Sequence, residues 1–180
     1  MTLDTVMPDY DVREYHQTLI RASREAVYTS LKATDFQDSW LVRNLMRLRA
    51  GGRSAGTVTL EKFWQTGFLL LEDRPNEEVL LGLVGRFWTP SGGRLKMPAD
   101  QFPAFNDPRY GKVVFNFLLT ETPNGTRLST ETRVKFLRNP ERFFFRCYWA
   151  VIRPFSGLIR IEMLRQLKQA CESWHCIQKK

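Results

Sequence analysis

The chain has 180 residues, 43% of them hydrophobic and 13% aromatic, which is enough for one buried core and too apolar for a disordered polypeptide. Lys and Arg number 27 against 19 Asp and Glu, a formal charge of +8, so anionic partners are permitted but not required. The chain does not open on a basic stretch followed by a long apolar run, which disfavours a secretory signal. The most apolar long stretch, residues 143–164, holds Arg146, Arg153, Arg160 and Glu162, too many charges for a membrane span. Cys147, Cys171 and Cys176 lack C-x-x-C spacing and read as reduced thiols that pack in the interior of a cytoplasmic protein.

In chain order, residues 1–9 read as a flexible tail and residues 10–180 as a single domain, because no repeat or long Pro/Gly-rich linker divides them. Residues 13–20 carry Tyr15, Thr18 and Ile20 in rough alternation and predict a strand. Ser23 followed by Glu25 and Ala26 predicts a capped helix through about Ala33. Phe36, Trp40, Leu41, Leu45 and Leu48 share one side of a second short helix, stopped by Gly51 and Gly52.

Strands follow at residues 68–71, 79–88, 94–97, 109–121 and 126–136, bounded by turn formers. Asn124 and Gly125 between the last two predict a type I′ hairpin, because both tolerate positive φ. A long helix begins at Asn139-Pro140-Glu141 and carries two apolar stripes. One is Phe144, Tyr148, Val151, Phe155 and Ile159; the other is Met163, Leu167, Ala170, Cys171 and Trp174. Pro154 lies between the stripes and predicts a bend.

Strand, two short helices, a run of antiparallel strands and a long final helix make an α+β pattern. A curved sheet with a helix laid across its concave face leaves room for an apolar molecule. With stretches such as VLLGLVGRFW, RLSTETRV and YWAVIRPFSGLIR, that order resembles the START and Bet v 1-like superfamily (SRPBCC, helix-grip). This group includes polyketide cyclases, aromatase/cyclases and lipid-transfer proteins. The resemblance spans about Tyr10 to Trp174 and implies a curved antiparallel sheet wrapped around the long helix, with a cavity between them. It leaves open whether the cavity binds a lipid-like or aromatic, polyketide-like ligand or also performs cyclase or dehydratase chemistry.

No nucleotide, nucleophile-elbow or metal motif is present, and neither His16 nor His175 stands in a metal-binding pattern. No cofactor and no metal are therefore expected. Leu128, Thr130, Thr132, Val134 and Phe136 alternate onto one face, which suits the concave side. Thr130 and Thr132 thus join Asn116, Trp88, Tyr148, Trp149 and Phe155 as expected ligand contacts. Asn116 shares a face with Val114 and Leu118 and needs a hydrogen-bond partner there. If Glu162, Arg86 and Asn116 converge on one cavity, they would serve acid–base chemistry.

From Val134 onward ten basic residues face three acidic ones, and Arg146, Arg153 and Arg160 recur every seven residues. That stripe reads as a solvated face, and alternatively as a contact for an anionic membrane surface or partner, or for the carboxylate or phosphate of a ligand. Nucleic acid is not expected, since no basic region accompanies a recognition motif. Oligomeric state is not legible.

Overall fold

The computed structural model describes residues 1–36, 43, 59–60, 62, 68–86, 89, 93–136 and 139–177, with side chains of the last helix described over 153–173. Of the residues named for the expected second short helix, Phe36 is described and buried in the core; the others and Trp88 lie outside the described residues, as do the side chains of Tyr148 and Trp149.

Helix α1 (Leu3–Val6) leads into strand β1 (Val12–Ile20), helix α2 (Arg24–Ala33) and strands β2 (Leu69–Arg74), β3 (Glu78–Gly85), β4 (Gly111–Thr122) and β5 (Gly125–Phe136). Helix α3 (Asn139–Ile177) ends the chain and runs unbroken through Pro154. The five strands form one antiparallel sheet in the order β1-β5-β4-β3-β2. Residues 94–97 contribute only an isolated bridge between Leu95 and Val84.

Strand alternation gives the sheet two different faces. On the inner face Val79, Leu81, Phe115, Phe117, Leu119 and Leu128 pack against Val27 and Leu31 of α2 and Met163, Leu164, Leu167 and Cys171 of α3. The second apolar stripe of α3 is therefore its core contact. Burial raises the Cys171 thiol above its usual range, as expected for a packed, unreactive cysteine. Helix α2 starts at Ser23, whose hydroxyl accepts from Ala26 N. It is tied to β2 by Asp73, which accepts from Tyr28 Oη at 2.6 Å and Lys32 Nζ at 2.7 Å.

The outer face is also covered. Leu3, Val6 and Met7 bury themselves with Leu71, Leu80, Val84, Phe102 and Val114, so residues 3–7 pack onto the sheet within the segment expected to be a flexible tail. Three apolar side chains within five residues supply the contact, and buried Arg133 fastens it. Arg133 donates to Met7 O at 2.9 Å and to the Asp4 carboxylate at 2.6 Å. Gly82 admits this layer: a Cβ there would stand 2.9 Å from the Phe102 ring. Lys112 is buried on the same face, donating to the carbonyls of Pro103 and Phe105 over the Phe102 ring. Burial lowers its ammonium to about 8.

The β4–β5 hairpin turns differently from the type I′ expectation. Pro123 and Asn124 occupy its two central positions between the paired residues Thr122 and Gly125. Gly125 has a φ of 125°, and Asn124 is not among the positive-φ residues. Proline fixes φ near −65°, which excludes a type I′ turn at that position.

Candidate functional site

The inner face is apolar except towards the β1 edge. There Val12, Glu14, His16, Thr18 and Ile20 alternate inward while their neighbours stay exposed. Register places His16 directly opposite Thr130 and Glu14 opposite Thr132, so four polar side chains share one patch. Glu14 Oε1 and His16 Nε2 are 3.4 Å apart, and the Glu14 side chain is only 9% exposed. Glu14 Oε2, His16 Nε2 and Thr130 Oγ1 are all buried without a hydrogen-bond partner.

Helix α3 closes over this patch at Gly157. A Cβ on Gly157 would lie 2.9 Å from Glu14 Oε1 and 3.7 Å from the His16 ring, so glycine permits the close approach. Three residues on, the Arg160 guanidinium stands 4.3 Å from the Phe115 ring centre and 6.0 Å from that of Phe117. Burial pulls Arg160 down to about 10, an effect that the Glu14 charge partly offsets. It remains a cation at neutral pH. The patch thus combines a carboxylate, a guanidinium, an imidazole and two hydroxyls beside an aromatic floor.

A groove of about 580 Å³ reaches the patch at the rim of the sheet, lined by Glu14, His16, Tyr15, Pro154, Gly157 and Leu158 among others. Its outer lip is apolar, with Leu158 45% and Ile161 51% exposed. A hollow of about 750 Å³ at the β4–β5 turn is lined instead by turn and surface residues such as Arg24, Glu121 and Asn124.

The residues expected from sequence divide between the two faces. Thr130 and Thr132 belong to the inner patch. Asn116 lies on the outer face, donating to Glu78 Oε1 at 2.6 Å and accepting from Glu131 N at 2.9 Å. Its amide is occupied in holding β3, β4 and β5 together. Arg86 stands over the Tyr110 ring at 5.2 Å, and Glu162 faces Arg165 of its own helix at 3.5 Å. Glu162, Arg86 and Asn116 therefore do not converge: Arg86 lies just past the end of β3, six residues from Leu80, which pairs with Asn116, and Glu162 is carried by α3 on the opposite side of the sheet. Phe155 is 39% exposed, outside the packed interior.

Two residues of the patch, Glu14 and His16, went unassigned in the sequence reading, and a third was read differently. Glu14 and His16 alternate with Ile20, so the period that buries Ile20 already directs them inward. Arg160 was read on a stripe that is solvated or contacts a membrane or ligand, and it stacks on Phe115. Among the described residues no three His, Cys, Asp or Glu side chains are grouped as metal ligands, and no helix is long and apolar enough to cross a membrane.

A five-stranded antiparallel sheet gripping one long carboxy-terminal helix on its inner face is a helix-grip architecture. Solved structures show likenesses over most of the chain. A protein from Mesorhizobium loti is 17% identical over 88% of this chain and 98% of its own, with a TM-score of 0.44. One from Rhizobium leguminosarum is 12% identical over 90% of this chain and 95% of its own, at 0.46. The di-domain ARO/CYC StfQ of the steffimycin biosynthetic pathway is 13% identical over 91% of this chain and 52% of its own, at 0.40. No family model and no curated protein matches the chain.

Proposed function

We propose that this protein binds a small hydrophobic molecule, lipid-like or aromatic, between the inner face of the sheet and α3, admitting it through the groove at β1. The observation that carries this reading is the buried patch itself. Glu14 Oε2, His16 Nε2 and Thr130 Oγ1 lack partners in the protein beside the rings of Phe115 and Phe117. Buried polar atoms left unpaired cost about 1–3 kcal/mol each, and a ligand head that bonds them recovers that cost. Apolar surroundings with a few convergent polar groups are what a small-molecule site requires.

Native mass spectrometry of the purified protein, with thermal melts against lipid-like and polycyclic aromatic compounds, tests the proposal. Saturable binding that raises the melting temperature, and that Gly157→Val abolishes, supports it. A panel in which no compound shifts the melt opposes it.

A second reading is favoured by the exposed lip of α3, where Phe155, Leu158 and Ile161 accompany exposed Arg153. An apolar strip with an adjacent cation suits the surface of an anionic bilayer. Co-sedimentation with phosphatidylserine vesicles that weakens as salt is raised supports this reading, and equal recovery with neutral vesicles opposes it.

A further inference from the structure

Resting on the ligand-site reading above, we infer that the inner patch selects an uncharged ligand head bearing a hydroxyl or phenol and discriminates against the corresponding carboxylate. The carboxylate of Glu14 is held between the Gly157 backbone and the His16 ring. The Arg160 guanidinium already rests on an aromatic face at 4.3 Å, a cation–π arrangement that partly satisfies it. An anionic head entering here meets the Glu14 carboxylate at close range in a site with little water, where like charges repel strongly.

The open hydrogen-bonding positions match a different head. Glu14 Oε2 accepts only, whereas Thr130 Oγ1 both donates and accepts, and His16 Nε2 does one or the other according to its tautomer. A hydroxyl is the smallest group that donates to a carboxylate while accepting from a neighbouring donor. An ether or ketone lacks the proton for Glu14, and a carboxylate lacks it and adds charge. The remaining charged group on the groove wall beside the patch, Arg153, is exposed at the rim and is screened by solvent. Arg13, also at the rim, is engaged in two bonds with Glu131.

Gly157 sets the tolerance of the site. Its missing side chain leaves Glu14 Oε1 in place, and any larger residue displaces the carboxylate that reads the hydroxyl.

Titration calorimetry with 2-naphthol, 2-methoxynaphthalene and 2-naphthoate, which share one ring system, tests the inference. The naphthol is expected to bind at least about tenfold more tightly than the methyl ether, the difference made by one hydrogen bond to a charged group. The naphthoate is expected to bind weakest of the three. Glu14→Gln should narrow the naphthol advantage and improve naphthoate binding. Thr130→Val, which keeps the shape of the inner face, should cut naphthol affinity and leave the ether unchanged. Equal binding of naphthol and its ether, or a preference for naphthoate, overturns the inference while leaving the ligand site standing. Failure of all three to bind overturns both.

Discussion

Arg133 shows how single residues hold this molecule together. Buried on the outer face, it bonds Glu131 at 2.8 Å, Asp4 at 2.6 Å and Met7 O at 2.9 Å, joining β5 to the amino-terminal turn. Without Arg133, Glu131 keeps its two bonds from Arg13, while the Met7 carbonyl loses its donor and the amino-terminal turn its tie to β5. Arg133→Met should therefore cost about 1–3 kcal/mol, read as a lower midpoint of urea unfolding, and should expose residues 1–9 to limited proteolysis. Glu131, held by Arg13 and then by Arg133, lies below its ordinary value of 4.5. A carboxyl depressed in the folded state contributes stability that is complete above its unfolded value and is lost as pH falls through the folded one. The urea midpoint should thus fall below about pH 4.5, and Glu131→Gln should lower it at neutral pH while flattening that acid limb. An unchanged slope would assign the acid sensitivity to other groups.

The inner patch depends on equally individual residues, and here legibility from sequence was partial. Thr130 and Thr132 were placed correctly by strand alternation, and the same rule applied to β1 would have brought Glu14 and His16 inward. Arg160 could not be read this way. A seven-residue recurrence of arginine looks like solvent-facing charge until the rings of Phe115 and Phe117, more than forty residues earlier in the chain, are known to lie beneath it. Asn116 was expected on an otherwise apolar face, and it instead shares the outer face with Glu78, Lys112 and Arg133. Which face that was depended on the layer formed by Leu3, Val6 and Phe102, which comes from distant parts of the chain.

At the scale of elements, strands and the long helix follow from local pattern, and departures arise where a neighbour overrides it. Pro123 converts the expected Asn-Gly turn into a Pro-Asn turn and transfers the positive φ to Gly125. A Cβ on Gly125 would press into the carbonyl of Ile20, a backbone atom that cannot swing aside. Gly125→Ala should destabilise by at least about 1 kcal/mol, seen as a lower melting temperature. Gly157 presents the opposite case. Its close contact is the end of a flexible Glu14 side chain, and alanine favours a helix over glycine by about 1 kcal/mol. Gly157→Ala should therefore keep or raise the melting temperature while weakening ligand binding. A variant that melts early would show that Glu14 has nowhere to go.

Across the whole molecule, the sheet works as a partition between two differently built layers. In the outer layer Arg133, Glu131, Asn116, Glu78 and Lys112 are bonded within the protein, and Arg74 Nε, at the β2 edge opposite Glu78, is the buried polar atom left unpaired there among the described residues. The inner layer keeps unpaired groups under α3. That asymmetry favours a ligand on the helix side, and it was legible in the sequence only as element order, which specifies a helix across a sheet but not which polar residues fall beneath it. The chain contains two histidines, His16 and His175, and one of them lies in the patch. Imidazole NMR spectra during titration with 2-naphthol therefore report on the site directly, with His16→Gln identifying the resonance. Saturable movement of the His16 signals is the predicted result. Binding of the probe with both imidazoles undisturbed would contradict a ligand site beneath α3.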